Sequence, residues 1–146
     1  MIRYCLDAWN KNKNKLEQVY RTTTGWNKCE YIGVVKCVVD CMFPEWSSKT
    51  ITQVDNGDYQ GTLLFLIPRN TYQPAEYDYL ITYVGYGSCS GCDTLLGIQN
   101  YEDCAYLNEQ QIKDFMTLSK DIVMNMRRLY NEGWRYDEAY RIGDNT

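Results

Sequence analysis

The spacing of apolar residues changes twice along this chain of 146 residues, and the two changes constrain its fold more than any other feature. Apolar residues recur at helical spacing in residues 1–45, where Pro44 ends the pattern. They alternate with polar residues over 50–86, as in strands, and return to helical spacing after Asn108. We therefore expect one α+β domain spanning 1–146, in which N-terminal and C-terminal helices pack against a small sheet.

Three helical segments are predicted from their apolar faces. The polar residues 10–14 interrupt the first segment, and the second fits 29–42. Further helices are expected within 93–131, with a stop at Gly133 and a polar tail over 134–146. The apolar faces comprise Ile2, Cys5, Leu6, Trp9, Leu16, Val19 and Tyr20 in the first helix, Ile32, Val35, Val38, Val39 and Met42 in the second, and Ile112, Phe115, Met116, Ser119, Ile122, Val123, Met126 and Leu129 in the last.

Three strands are predicted between these helices, at 50–55, 59–67 and 77–86. Asn56 and Gly57 predict a two-residue hairpin between the first two strands, because both residue types accept positive φ. The run LLFLI in the second strand leaves little for solvent, which favours a central position. Short connections favour an antiparallel meander, so the expected sheet has three antiparallel strands.

Composition excludes several classes of function. The chain has no histidine, so it lacks the usual general base, and a Ser-His or Cys-His catalytic pair is excluded. The net charge is −4 and no basic block occurs, so the electrostatic footprint of a nucleic-acid-binding protein is absent. Neither a signal peptide nor an apolar run of about 20 residues is found. We therefore expect a cytoplasmic protein whose seven cysteines are reduced.

A C-x-x-C motif, Cys89 and Cys92, lies in the glycine-rich stretch GYGSCSGCDTL. A structural zinc site needs four ligands, and the nearest second pair is Cys37 and Cys41, which share a face if they lie on a helix. The same pair is typical of small residues packed in a core. A redox role is opposed by Asp93, because a carboxylate raises the pKa of a neighbouring thiol. We therefore expect no cofactor, with zinc held by these four cysteines as the alternative.

The glycine-rich stretch allows two further interpretations. Its backbone N–H groups would cradle an anion if a strand runs there into a helix start. It has, however, neither the lysine of a P-loop nor the spacing of a dinucleotide fingerprint. The simpler interpretation is a strand-to-helix turn, closed by hydrogen bonds from Ser88 and Ser90 and followed by Asp93 as the cap of a short helix.

Two other loops carry candidate binding residues. Asp55 and Asp58 flank the predicted hairpin turn. Two such carboxylates suit a divalent cation or acid–base chemistry, and they also suit the local hydrogen bonds of an ordinary turn. Tyr72 and Gln73 lie in the loop 68–76, where an aromatic residue beside an amide is typical of binding surfaces and of ordinary loops alike.

The meander also predicts where these loops lie. The loop 68–76 is expected at one end of the sheet, and the turns 55–58 and 88–93 together at the other end. No catalytic residue is assigned. The candidate ligand- or partner-binding residues are Asp55, Asp58, Tyr59, Gln60, Tyr72, Ser88, Cys89, Ser90, Gly91, Cys92 and Asp93.

Three strings in the chain, DYQGTL, TYQP and YGSCSGCDTL, resemble a family of small proteins encoded by tailed bacteriophages and prophages of Gram-positive bacteria. The similarity spans residues 50–125, and the first 45 residues match only loosely. The resemblance implies expression in the cytoplasm of a bacterial host during infection. It also implies the type of activity that small phage proteins often have, which is inhibition of host machinery or of host defence.

The function expected from these observations is that of a non-enzymatic binding protein with an anti-defence or inhibitory role. Its partner would be a host protein or a small signalling nucleotide, with no direct binding of nucleic acid or membrane. One alternative is a small metal- or thiol-dependent enzyme that acts on nucleotide or nucleic acid through Asp55, Asp58, Cys89 and Cys92. Another is a structural or assembly role as a homo-oligomer.

Overall fold

The computed structural model describes residues 2–22, 30–57, 61–74, 78–87 and 107–129. These residues form an α+β fold with three helices and one antiparallel sheet, which confirms the predicted fold class. In chain order the elements are α1 (Ile2–Thr22), α2 (Tyr31–Met42), β1 (Thr52–Asp55), β2 (Gly61–Pro68), β3 (Tyr79–Tyr86), α3 (Glu109–Met124) and β4 (Arg127–Arg128).

The sheet is a meander with strand order β1-β2-β3-β4, and every neighbouring pair is antiparallel. The predicted strands pair in sequence order and β2 is central, as the LLFLI run indicated. The fourth strand was missed: Arg127 and Arg128 pair with Ile81 and Leu80 of β3. Two residues are too short for a periodic pattern, so their pairing depends on tertiary contacts alone.

One face of the sheet, called the inner face, packs against the helices. Along β2 it carries Leu63, Phe65 and Ile67, all of which are buried in the core. Thr82 on β3 is also fully buried on this face, and its hydroxyl donates to the Ile122 carbonyl of α3 at 2.9 Å. That carbonyl belongs to the last turn of α3, where helix carbonyls lack helical partners. The bond therefore fixes the last helix on the sheet.

The helix α1 is continuous through the polar residues 10–14, so the predicted interruption does not break it. Its buried side is narrower than the predicted face, because Leu6 is 40% exposed. The apolar residues buried by the neighbouring turns stabilise the helix enough that the short polar segment between them also stays helical. The buried residues of α1 are Cys5, Trp9, Leu16 and Tyr20.

The helix α2 is buried on most of its sides rather than along one stripe. It begins at Tyr31, two residues later than predicted, and ends at Met42 with Phe43 as the C-cap before Pro44. A helix that is apolar all round belongs in a core, and α2 packs against both α1 and α3. Its buried residues are Tyr31, Gly33, Val34, Val35, Val38, Val39, Cys41 and Met42.

The helix α3 begins as predicted but ends earlier. Asn108 is its N-cap, and a capping box forms: the Asn108 Oδ1 accepts from the Gln111 N–H at 2.8 Å, and the Gln111 Oε1 accepts from the Asn108 N–H at 2.9 Å. The prediction of helix up to 131 with a stop at Gly133 is wrong. The helix ends at Met124, because Asn125 caps it and the chain turns into β4.

The hairpin between β1 and β2 is longer than predicted. Asp55 pairs with Leu63, so residues 56–60 connect the strands instead of Asn56 and Gly57 alone. A two-residue turn would have paired Asp55 with residue 58. The side chain of Asn56 explains the difference, since its Oδ1 accepts from the Thr62 N–H at 2.9 Å and holds a wider loop.

The strands predicted at 50–55, 59–67 and 77–86 are observed at Thr52–Asp55, Gly61–Pro68 and Tyr79–Tyr86. The predicted short helix from Asp93 and the predicted tail over 134–146 lie outside the described residues. Among the described residues, no helix combines the length and the apolar character needed to cross a membrane.

Candidate functional site

The first candidate region is the end of the sheet where β1 stops and β2 starts. Asp55 Oδ1 accepts from the Tyr86 hydroxyl at 2.6 Å and from the Gly57 N–H at 3.0 Å. The Tyr86 hydroxyl, followed by the Gly57 N–H, lowers the pKa of the Asp55 carboxyl, because both bonds favour the ionised form. Asp55 therefore holds its own loop in place, and this local role is the turn interpretation of the sequence.

Glycine is required at one position of this end. A Cβ built on Gly61 would lie 2.8 Å from the Gly57 Cα, a distance that real Cβ atoms essentially never show. Gly61 pairs with Tyr86, so the missing side chain leaves room for the loop and for the tyrosine on the same strand pair. An aromatic residue opposite a glycine is a common way to stabilise such a pair.

The Asp55–Tyr86 bond places the end of β1 beside the end of β3, as the meander predicted. Gly57, which lies within the first predicted turn, and Gly87, which directly precedes the second, follow these two strand ends. Most of the predicted site residues lie outside the described residues: Asp58, Tyr59, Gln60, Ser88, Cys89, Ser90, Gly91, Cys92 and Asp93.

The second candidate region is the loop that joins β2 to β3 at the opposite end of the sheet. Tyr72 is 95% exposed, more than any other large hydrophobic residue in the described part of the chain. The base of the loop is closed by the Arg69 N–H, which donates to the Asp78 carbonyl at 2.7 Å, and by the Arg69 Nε, which donates to Asp78 Oδ1 at 3.2 Å. A fixed base thus carries a tyrosine that projects into solvent.

Trp46 anchors this loop and was missed by the sequence reasoning. Its ring is only 6% exposed, and the Arg69 guanidinium lies 4.6 Å from the ring centroid. The Asn70 N–H donates to the Glu45 carbonyl at 2.9 Å, and the Ser47 N–H donates to the Pro68 carbonyl at 2.8 Å. The indole therefore lies under the loop base, in a cation–π contact. A tryptophan two residues after a helix-ending proline was the available signal.

A second arginine reaches the same ring. The Arg128 guanidinium on β4 lies 5.9 Å from the Trp46 centroid. Strand β4, absent from the sequence prediction, therefore helps to fix the end of the sheet that carries the β2–β3 loop, called the Tyr72 end, through Trp46.

The cysteines proposed as half of a zinc site lie one turn apart on α2. Cys37 is half-buried and Cys41 is buried. Burial raises the pKa of the Cys41 thiol, as does the nearby Asp40, while Lys15 opposes them. A cysteine binds a metal ion as the thiolate, so an environment that raises the pKa of the Cys41 thiol disfavours metal coordination. Among the described residues, no three cysteine, aspartate or glutamate side chains are grouped so as to hold a metal ion.

The chain has no significant match among protein-family models, curated proteins or solved structures. Of the two candidate regions, the Tyr72 end is the one whose loop base, anchoring tryptophan and exposed side chain all lie within the described residues.

Proposed function

We propose that this chain is a non-enzymatic binding protein that recognises a partner protein through the loop of residues 69–74. Its role is inhibitory: it occupies a surface that the partner needs. The partner is a protein of the bacterial host, in its general machinery or in its defence, and the chain acts in the host cytoplasm as a phage-encoded factor.

The observation that carries this proposal is the exposure of Tyr72 on a fixed base. Tyrosine and tryptophan dominate the binding energy of protein interfaces, because they bring a large amphipathic surface at little cost in side-chain entropy. A loop that is already held in its bound shape loses less conformational freedom on association. The Arg69–Asp78 pair and Trp46 supply that order to the loop base.

A protein partner fits this geometry better than a signalling nucleotide does. Small ligands bind in concave sites that bury most of their surface. Tyr72 is 95% exposed, so it projects away from the chain instead of lining a pocket. A projecting aromatic side chain suits insertion into a depression on another protein.

The phage context rests on the resemblance of DYQGTL, TYQP and YGSCSGCDTL to the small phage and prophage proteins. The TYQP string of that resemblance contains Tyr72 itself. A role for this string in partner binding would account for both the resemblance and the exposed side chain.

The test is capture of a partner from lysate of a Gram-positive host by the wild-type chain and by two tyrosine variants. Tyr72→Ala should reduce capture of the same protein at least tenfold, since it removes the projecting ring. Tyr83→Ala is the matched control, because Tyr83 is also exposed but lies on β3 away from the loop. Purified partner and isothermal titration should reproduce the difference.

Two results would contradict the proposal. Equal capture by wild type and Tyr72→Ala would remove the loop from the interface. A nucleotide found by mass spectrometry in ligands released from the denatured chain, with no protein captured, would favour the sequestering role instead.

A further inference from the structure

Strand β1 is an edge strand, and its outer side has no neighbour within the part of the chain that the structure describes. All four of its residues are exposed. The Asn56 N–H donates to the Thr62 carbonyl at 3.2 Å, which makes this a hydrogen-bonded pair of the ladder. Since such pairs alternate along antiparallel strands, Gln53 and Asp55 direct their backbone N–H and C=O groups away from β2.

The face of the sheet opposite the inner face, called the outer face, carries a row of apolar side chains that reaches this edge. Val54 pairs with Leu64, and Leu64 pairs with Tyr83. Val54 is 46% exposed and Tyr83 is 47% exposed. These three residues, called the outer row, thus end at a strand edge that is unpaired within the described residues. An unpaired edge is a template for pairing with another strand.

We propose that β1 pairs with β1 of a second copy of this chain, antiparallel, about a two-fold axis that passes between the two Val54 residues. Gln53 of each copy then lies opposite Asp55 of the other, and these two pairs exchange four backbone hydrogen bonds. The two Val54 side chains meet at a non-hydrogen-bonded position, where cross-strand Cβ atoms are closest. The two outer rows join into one continuous row.

Charge selects this register over its neighbours. A shift by two residues in one direction sets Asp55 against Asp55 of the second copy, and like charges directly opposite one another are destabilising. A shift in the other direction sets Gln53 against Gln53 and Val54 against Thr52, which separates the two valines. Only the Val54-centred register pairs each carboxylate-bearing residue with an amide and keeps the apolar row unbroken.

The strand is self-complementary, and this favours a second copy as the occupant. An isologous contact requires that the same patch serve on both sides of a two-fold axis. In β1 the residues Gln53 and Asp55 flank Val54 symmetrically, so one strand supplies both halves of the interface. The interface is small, so the dimer should be weak and dependent on concentration.

The first experiment is sedimentation analysis of the full chain from about 1 µM to about 1 mM. The wild type should pass from monomer to dimer within this range. Gln53→Pro should move the midpoint at least tenfold upward, because proline removes an N–H that points away from β2 and costs no bond to it. Gln53→Ala, which keeps the N–H, should stay close to the wild type. A monomeric wild type across the whole range would overturn the proposal.

The second experiment tests the register and does not depend on how well the proline variant folds. Under mild oxidation, Val54→Cys should form a covalent dimer faster than the wild-type chain with its native cysteines. Thr52→Cys is the matched control, since residue 52 lies opposite residue 56 in this register and should not cross-link to its own counterpart. Equal cross-linking of the two variants would overturn the proposed pairing.

This inference is independent of the partner proposed above. Tyr72→Ala should leave the dimer midpoint unchanged, because Tyr72 lies beyond the opposite end of β2. Loss of partner capture with an intact dimer, or the reverse, would therefore separate the two proposals.

Discussion

The two ends of the sheet each hold a hairpin loop in place, but by different kinds of contact. At the end called the Asp55 end, the loop between β1 and β2 is held by polar groups, chiefly the Tyr86 hydroxyl on Asp55 and the Asn56 side chain on the Thr62 N–H. At the end called the Tyr72 end, the loop between β2 and β3 rests on a buried indole, Trp46. Both loops connect antiparallel strands of one sheet.

The difference concerns where the stabilising groups come from. The Asp55 end uses residues in or beside its own loop, which hydrogen bond in solvent and therefore contribute little each. The Tyr72 end uses Trp46, a residue from outside the hairpin that lies in the segment after α2. Arg69, directly after β2, and Arg128 of β4 cover its ring. Buried apolar support is stronger, so this end is the one suited to display an exposed aromatic side chain.

The largest expected effect comes from Trp46→Ala. Removing a buried indole leaves a cavity under the loop base, and the free energy of unfolding should fall by about 3–5 kcal/mol. Chemical denaturation monitored by circular dichroism measures the loss. Tyr72→Ala is the control from the same end, because an exposed side chain should change stability by no more than about 0.5 kcal/mol. Similar losses of unfolding free energy in both variants would contradict the assignment of Trp46 as the buried support and Tyr72 as the exposed binding residue.

Gly61→Ala should have the next largest effect, at the Asp55 end. Its new Cβ would meet the Gly57 backbone at 2.8 Å, and backbone cannot move away as a flexible side chain can. Such crowding typically costs about 1–3 kcal/mol. Gly85→Ala is the matched control in β3, since its Cβ comes no closer than 3.9 Å to the Gly61 carbonyl oxygen. If Gly61→Ala left the free energy of unfolding unchanged, the Gly57 backbone could move aside to make room for the methyl group.

Asp78→Asn should weaken the Tyr72 end moderately. The carboxylate accepts from the Arg69 Nε at 3.2 Å, and both side chains are largely buried from solvent. Loss of a charged acceptor at such a site should cost about 1–2 kcal/mol. Hydrogen exchange at the Arg69 and Asn70 amides should increase more than exchange in β1. Uniform changes at both ends would indicate a global effect rather than a local one.

The smallest effect is expected from Tyr86→Phe, and it depends on pH. Folding lowers the pKa of Asp55, so its contacts stabilise the native state above the unfolded pKa of about 4, and this contribution is lost as pH falls through the folded value. Without the hydroxyl, the pKa of Asp55 should rise toward its ordinary value. Carbon-13 NMR titration of the Asp55 carboxyl measures this shift. An unchanged titration would mean that the Gly57 N–H alone sets the pKa.

Much of the fold could be predicted from the sequence because it follows local patterns. The alternation over 50–86 gave the meander, Pro44 gave the end of α2, and Asn108 gave the start of α3. Each of these signals acts within a few residues, through the period of a strand, a missing N–H or a capping side chain.

The features that were missed depend on side-chain and tertiary contacts that local sequence patterns do not show. Nothing near Arg127 and Arg128 indicates that they pair with β3 instead of continuing α3. The Asn56-Gly57 pair suggested a tight turn, but the Asn56 side chain reaches six residues along to Thr62 and widens the loop. The role of Trp46 under Arg69 is likewise a tertiary contact.

For the candidate site, sequence reasoning identified Asp55 and Tyr72 as loop residues and predicted that they lie at opposite ends of the sheet. It did not separate their roles. Asp55 is engaged in hydrogen bonds of its own loop, whereas Tyr72 is exposed, and exposure depends on how the loop base is held by Arg69 and Asp78.

Tyr20 in α1 and Ser119 in α3 are 99 residues apart in sequence, yet their hydroxyls meet in the core at 2.6 Å. A ribosome adds about 5–20 residues per second, so α1 waits on the order of 5–20 s for the helix that covers it. During synthesis the apolar face around Trp9 and Leu16 is open to chaperones and to neighbouring nascent chains. The chain is thus most vulnerable to aggregation before its last helix has been made.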